Sequence, residues 1–185
     1  MVGRVSLPRR HGRLGEAALP RPLRYHLAGP RSEPVPTIMH VRDLYIYPLK
    51  SCAGGRLDAA QLDRFGLVGD RRWMLVDRAG RFLSQRELPR MALLRVTAYF
   101  GALAVSAPDR STLTVSVPAA QAPRVPVTVW RDRCEALDAG DEAARWMCAF
   151  VERECRLVYA PDDFLRPVDR AHVSGRELMG VNSRL

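Results

Sequence analysis

A succession of short apolar segments, separated by Gly and Pro, constrains the fold of this chain more than any other feature of its sequence. Residues 71–76, 93–100 and 125–130 are rich in β-branched and aromatic residues, and they are too short for typical helices. The breaks between such segments contain Gly or Pro, which favour turns. The pattern predicts a mainly β (α+β) fold, an antiparallel β-barrel-like domain. The other predicted strands are residues 41–47, 56–62, 82–84, 103–106, 113–117, 134–137 and 155–159.

One segment near the C-terminal end has the period of a helix instead. Residues 141–152 place apolar side chains three and four positions apart, opposite charged ones. Asp138 or Asp141 is suited to cap the start, where acids also favour the helix dipole. We expect this helix to pack on the rest of the domain and to carry no chemistry. Its apolar stripe consists of Ala143, Trp146, Met147, Phe150 and Val151.

The two ends of the chain differ from its middle. Residues 1–38 contain six Pro and seven Arg without a sustained apolar period, a composition that predicts a disordered leader. Met39 directly precedes the strand-rich region, so we expect natural synthesis to begin there. Residues 39–160 are predicted to form the domain, and residues 161–185 an irregular tail.

Charge and targeting signals narrow the function classes. The net charge is +9, but seven Arg and two Glu in the leader supply +5 of it, which leaves +4 for the other residues. This split removes most of the support for a nucleic-acid binder. The leader also lacks the apolar core of a secretory signal. We therefore expect a cytoplasmic protein with no nucleic-acid and no membrane partner.

The cysteines predict reduced thiols rather than a metal site. No two of them form a Cys-x-x-Cys pair, and no His flanks them at the spacing of zinc ligands. Without a secretory signal, scattered cysteines are typical of an intracellular protein, in which several of them are buried. They are Cys52, Cys134, Cys148 and Cys155.

A candidate anion site follows the first predicted strand of this region. Pro48 cannot donate a hydrogen bond to a sheet, so it is expected to end that strand or to lie at its rim. Lys50, the one Lys among 29 Lys and Arg residues, and Ser51 then enter a loop that contains Gly54 and Gly55. An ammonium, a hydroxyl and the backbone N–H groups of such a loop favour an anion. The alternative is a solvated Lys in a turn.

Four ordered motifs resemble a known family. They are the segments Tyr-Pro-Leu-Lys-Ser-Cys at 47–52, Gly-Leu-Val-Gly-Asp-Arg-Arg-Trp-Met-Leu-Val at 66–76, the charged hairpin at 77–90, and residues 130–146. Together they resemble the N-terminal β-barrel domain that precedes the MOSC (molybdenum cofactor sulfurase C-terminal) domain, over about residues 41–160. Proteins of this architecture include the amidoxime-reducing component family, which binds a molybdopterin-type molybdenum cofactor and reduces N-hydroxylated compounds.

The resemblance implies roles for a few positions. Lys50 and Ser51 match the family's pair that contacts the phosphate end of the cofactor, and Arg71 matches an Arg that contacts the cofactor. The molybdenum-ligating Cys belongs to the following MOSC domain, so we expect this chain to be truncated before that domain. The implied partners are the MOSC domain and a redox protein that supplies electrons. From the residues alone, Arg86 and Arg90 are further candidates to face the anion.

Two functions from different classes remain open. The chain is either the N-terminal part of a molybdenum-cofactor oxidoreductase, or a non-catalytic β-barrel domain for binding or substrate recognition. It has no Gly-x-Ser-x-Gly elbow, P-loop or His-Glu-x-x-His motif. A minor alternative is a thiol nucleophile at Cys52, whose pKa Lys50 would lower. Trp130 is expected in the core rather than against a cofactor, because its ring buries a large area.

Overall fold

The computed structural model describes residues 3–6, 39–99 and 101–166. These residues form twelve strands, one α-helix and one 3₁₀ helix. The strands are β1 (Gly3–Ser6), β2 (Leu44–Ile46), β3 (Gly55–Leu57), β4 (Ala59–Asp63), β5 (Gly66–Leu67), β6 (Trp73–Val76), β7 (Arg95–Tyr99), β8 (Ala102–Ser106), β9 (Leu113–Ser116), β10 (Arg124–Val129), β11 (Asp132–Asp138) and β12 (Arg156–Tyr159). The 3₁₀ helix is Pro89–Leu93, and α1 is Asp141–Val151.

The strands form four small antiparallel sheets. Their orders are β10-β11-β12-β6, β7-β8-β9, β1-β4-β5 and β2-β3. Most neighbours in sequence are neighbours in a sheet, as short turns require. The predicted mainly β fold with one packed helix is therefore confirmed. Within the described residues, no helix has the length and apolar character needed to cross a bilayer.

Strand β6 lies between two hydrophobic cores. Trp73 and Leu75 belong to a core that also includes the buried faces of α1 and of sheet β7-β8-β9. Met74 and Val76 point to the opposite side of the strand and pack in a second core, with residues of β10, β11 and β12. The sequence pattern required only one buried face for this strand. Burial on both faces fixes β6 firmly, and the candidate site is attached to its N-terminal end.

Two elements differ from their predicted form because of tertiary pairing. The predicted strand 56–62 is divided at Asp58, since its first part pairs with β2 and its second part with β1. The predicted loop 85–90 runs into the 3₁₀ helix, which begins at Pro89. Proline is tolerated in the first turn of a helix because the N–H that it lacks has no partner there.

The start of α1 also differs from the prediction. Gly140 occupies the N-cap position with φ +91, and no side chain caps the helix. Asp138 instead accepts a hydrogen bond from the N–H of Gly140 at 2.7 Å. The two acids of the first turn, Asp141 and Glu142, still favour the helix dipole. The predicted apolar stripe is buried, except that Trp146 is only half-buried.

Two described segments outside residues 39–160 also contact the domain. Strand β1 lies in the segment predicted to be disordered, and its backbone pairs with β4 from Gly3↔Leu62 to Ser6↔Ala59. Beyond residue 160, Phe164 is buried in the second core. The other residues of the predicted leader, 1–2 and 7–38, and of the predicted tail, 167–185, lie outside the described residues.

Candidate anion-binding site

A short parallel ladder brings the two halves of the site together. The N–H of Arg71 donates to the carbonyl of Tyr47 at 2.8 Å, the N–H of Trp73 to the carbonyl of Pro48 at 3.1 Å, and the N–H of Lys50 to the carbonyl of Trp73 at 2.9 Å. Leu49, between them, is fully buried. Strand β2 ends at Ile46, two residues before Pro48, so Pro48 lies just beyond the end of this strand. Lys50 and Arg71 thus enter the same corner of the molecule from rigid supports.

A buried carboxylate fastens this corner from the inside. Asp70 is 3% exposed. Its Oδ1 accepts the N–H of Tyr47 at 2.8 Å, and its Oδ2 accepts the Nε of Arg71 at 2.8 Å. Asp70 therefore links the end of β2 to the guanidinium of Arg71, and the charge-assisted bonds hold both in place.

The surroundings of Lys50 disfavour the positive charge of its ammonium group. Burial lowers its pKa from 10.5 to about 8, and repulsion from Arg166 and Arg71 adds to the effect. Its Nζ lies 4.9 Å from the centroid of the Phe82 ring, a cation–π contact. No described carboxylate pairs with this ammonium. A bound anion would relieve the repulsion among the three cations.

Backbone strain is concentrated at this site. Five described residues other than Gly have positive φ, and three of them, Ser51 (φ 64), Arg71 (φ 49) and Trp130 (φ 60), lie here. Such conformations cost on the order of 1–3 kcal/mol each and cluster at functional sites. Ser51 follows Lys50 directly and is half-buried. Among the described residues, no group forms a hydrogen bond with its hydroxyl, which leaves the hydroxyl available to a ligand.

The neighbouring arginine has a structural role instead. Arg72 is 7% exposed, and its Nε donates to the carbonyl of Ala160 at 2.7 Å. A terminal nitrogen pairs with Asp162 at 2.8 Å, and its guanidinium packs over the rings of Phe65 and Tyr159. Arg71 and Arg72, the two residues before β6, thus have different partners. The sequence alone placed Arg71 at the site, and the structure brings it to Lys50.

Arg166 is a cation of this site that the sequence analysis missed. Its side chain is 14% exposed, and its Nε donates to Asp132 at 2.8 Å. Of the two arginines whose repulsion lowers the pKa of Lys50, Arg166 has the larger effect. Arg166 lies in the predicted irregular tail, 116 residues after Lys50. No local sequence pattern therefore linked it to the site.

An exposed aromatic side chain adjoins the cations. Trp130 is 62% exposed, so the prediction that it lies in the core is wrong. The physical reason is the turn: β10 ends at Val129 and β11 begins at Asp132, which leaves Trp130 as the first residue of a two-residue connection. Two-residue hairpins favour positive φ at that position. The centroids of the Trp130 and Phe82 rings are 5.5 Å apart, and the ammonium of Lys50 lies over the same Phe82 ring.

Three further candidates do not join the site as proposed. Arg90 pairs with Glu152 next to the helix, and Arg86 is exposed with no ion pair to the described residues. Cys52 is buried, and burial raises the pKa of its thiol to about 12. Lys50 does not lower that pKa, so the interpretation of Cys52 as an activated nucleophile is wrong.

Fold and site together define a mainly antiparallel β domain that presents clustered cations at the end of a strand. Sequence comparison identifies its family: the chain belongs to the MOSC N-terminal beta barrel domain family, whose profile matches residues 38–154. The resemblance predicted over residues 41–160 is therefore confirmed.

Two groups of proteins, the molybdenum cofactor sulfurases and the amidoxime-reducing components, contain a similar region. The molybdenum cofactor sulfurase of Danio rerio is 30% identical over 138 residues, which are 67% of this chain and 16% of that protein. The mitochondrial amidoxime-reducing component 1 of Mus musculus is 31% identical over 125 residues, 64% of this chain and 37% of that protein. The molybdenum cofactor sulfurase of Drosophila grimshawi is 38% identical over 140 residues, 71% of this chain and 18% of that protein. The chain thus spans well under half of the length of these relatives.

Proposed function

We propose that Lys50, Ser51 and Arg71 bind the phosphate end of a molybdopterin-type molybdenum cofactor. In this proposal the chain supplies part of the cofactor site of an oxidoreductase that reduces N-hydroxylated compounds. The names of its relatives, a molybdenum cofactor sulfurase and an amidoxime-reducing component, support this class. The observation that carries the proposal is the repulsion of Lys50 by two arginines at a half-buried corner.

The donor set fits a phosphate group. Lys50 offers an ammonium, Ser51 a hydroxyl, and Arg71 the terminal guanidinium nitrogens that its pair with Asp70 leaves unused. Arg is suited to two parallel hydrogen bonds with a phosphate, and each charge-assisted contact contributes about 1.5–3 kcal/mol. Because Asp70 and the backbone ladder already hold these groups, little ordering is needed on binding.

Within the complete enzyme, Lys50, Ser51 and Arg71 would bind and orient the cofactor, and the cofactor would carry out the chemistry. The molybdenum centre, when bound, supplies electron and oxygen-atom transfer. Lys50 and Arg71 neutralise the anionic arm, and the buried supports of the corner fix its direction. In this proposal a MOSC domain provides the molybdenum-ligating Cys, and a redox partner provides the electrons.

Cofactor analysis of the purified chain tests the proposal. The chain and its Lys50→Ala/Arg71→Ala variant are produced in cells that make the cofactor, then measured for molybdenum by elemental mass spectrometry and for pterin by fluorescence after oxidation. We expect molybdenum and pterin in the parent and a large loss of both in the variant. Equal amounts in the two proteins would contradict the proposal.

A second candidate function is a binding or substrate-recognition domain without chemistry. The exposed Trp130 beside the cations favours it, because an aromatic face and a cation together accommodate many anionic ligands with a ring. The same measurements distinguish the two candidates. Tight binding of a phosphate ester by a parent that contains neither molybdenum nor pterin would support the second function.

The lowered pKa of Lys50 predicts a pH dependence of anion binding. Sulfate, whose charge is constant over the range, should bind to the protonated ammonium and lose affinity several-fold between about pH 7 and about pH 9. The fall follows from the pKa of about 8, above which the free site loses its proton. Calorimetric titration at several pH values measures it.

The matched control for this pH dependence is Lys50→Arg. A guanidinium remains charged throughout the range, so the affinity of this variant should change little with pH. A parallel decline in the parent and in Lys50→Arg would assign the pH dependence to another group.

A further inference from the structure

Two cysteines lie close to each other, away from the anion site. Cys148 is in the last turn of α1, and Cys155 directly precedes β12. Their Sγ atoms are 3.8 Å apart. The chain reverses between them through Glu152, which has φ 57 at the helix C-cap. The spacing of seven residues gives no recognised motif, so the sequence did not indicate that the thiols meet.

The two thiols differ in their exposure to solvent. Cys155 is 2% exposed, whereas Cys148 is half-buried. Both line a cleft of about 840 Å³, which is bordered by the Asp77–Gly80 turn, by β10 and by α1. A cleft of this size admits a small organic molecule. A reagent that enters it meets Cys148 before Cys155.

Solvent exposure favours Cys148 as the attacking group, because the thiol of Cys155 is buried. The N–H of Cys155 donates to the Sγ of Cys148 at 3.2 Å, and the Cys148 thiol donates to the carbonyl of Cys155 at 3.2 Å. These two bonds hold the Sγ of Cys148 beside Cys155. Burial raises the pKa of Cys155 to about 12, and the neighbouring Cys148 adds to this rise, so Cys155 is a protonated thiol at neutral pH.

We propose that Cys148 and Cys155 form a dithiol site that is oxidised by a low-molecular-weight disulfide bound in the adjacent cleft. Cys148 attacks one sulfur of the disulfide, and the first small thiol leaves with a proton from the protein. Cys155 then attacks the Sγ of Cys148 in the mixed disulfide and releases the second small thiol. Two protein thiols become one disulfide, while one small disulfide is reduced to two thiols.

The geometry permits the closing step. The sulfurs, now 3.8 Å apart, must approach to about 2.05 Å. The product joins the end of α1 to the start of β12. Among the described residues, neither Cys52 nor Cys134 has another cysteine sulfur in contact, so exchange should be confined to this pair. The inference is independent of the proposed cofactor site.

Peptide mapping after incubation with oxidised glutathione tests the proposal. Free thiols are alkylated and the folded protein is digested with trypsin, which cleaves after Arg145, Arg153 and Arg156. We expect peptide 146–153 to be joined by a disulfide to peptide 154–156. The linkage should disappear when reduced glutathione is added in excess.

Three variants test the separate roles of Cys148 and Cys155. Cys155→Ser should keep a glutathione adduct on peptide 146–153, because no second thiol resolves it, and Cys148→Ser should give neither adduct nor linkage. Cys134→Ser, which removes a buried cysteine elsewhere, should form the linkage as the parent does. Unlinked peptides in the folded parent, or a Cys155→Ser protein without the adduct, would overturn the proposal.

Discussion

Replacement of Lys50 and Arg71 together by alanine is expected to lower the affinity for a phosphate monoester by about 10²- to 10⁴-fold. Each charge-assisted contact contributes about 1.5–3 kcal/mol, and about 1.4 kcal/mol corresponds to a tenfold change in affinity. Lys50 and Arg71 are held in one corner by the backbone ladder between residues 47–50 and 71–73. Their removal eliminates the side-chain contacts with the anion, while the ladder itself is made by backbone groups that the substitutions leave in place. Isothermal titration measures the change.

A matched control separates this local effect from the loss of net charge. Arg145 and Arg153 are exposed on or next to α1, and neither forms an ion pair with the described residues. The Arg145→Ala/Arg153→Ala variant also loses two positive charges. It should bind the monoester almost as well as the parent. Equal losses in both double variants would show that general electrostatic attraction, rather than this corner, determines the affinity.

Asp70→Ala is expected to reduce the free energy of unfolding by about 2–4 kcal/mol, a large effect for one substitution. The substitution leaves the N–H of Tyr47 without its acceptor and releases the guanidinium of Arg71. Asp70→Asn keeps an oxygen for the N–H of Tyr47, so it should cost less. Urea denaturation monitored by tryptophan fluorescence measures both variants.

The control for this prediction is Asp58→Ala. Asp58 is exposed between β3 and β4, and its substitution should change stability by no more than about 0.5 kcal/mol. If Asp70→Ala unfolds at the same urea concentration as Asp58→Ala, the buried carboxylate is not the support that the structure indicates.

The local elements of the fold were predictable from the sequence because their signals are local. The helical period of residues 141–152 and the apolar alternation of β10 depend on neighbours in the chain, and both elements appear where expected. The division of the strand predicted at residues 56–62 was not predictable. It follows from two separate pairing partners, and one of them, β1, comes from a segment without any strand pattern.

The site was only partly predictable for the same reason. Lys50, Ser51 and Arg71 were selected by resemblance to a family, and the structure shows the ladder that brings Lys50 and Arg71 together. Arg166 approaches Lys50 across 116 residues of sequence, a distance over which composition and periodicity carry no information. Trp130 was placed in the core because of the size of its ring, whereas the two-residue connection after Val129 exposes it.

The most direct test of the central claim is an NMR titration of the isotope-labelled chain with a phosphate monoester. If Lys50, Ser51 and Arg71 form one anion site, their backbone amide signals should shift most, in a saturable manner, and the shifts should vanish in Lys50→Ala/Arg71→Ala. Shifts centred elsewhere in the domain, or shifts at residues 50, 51 and 71 that persist in that variant, would contradict the account.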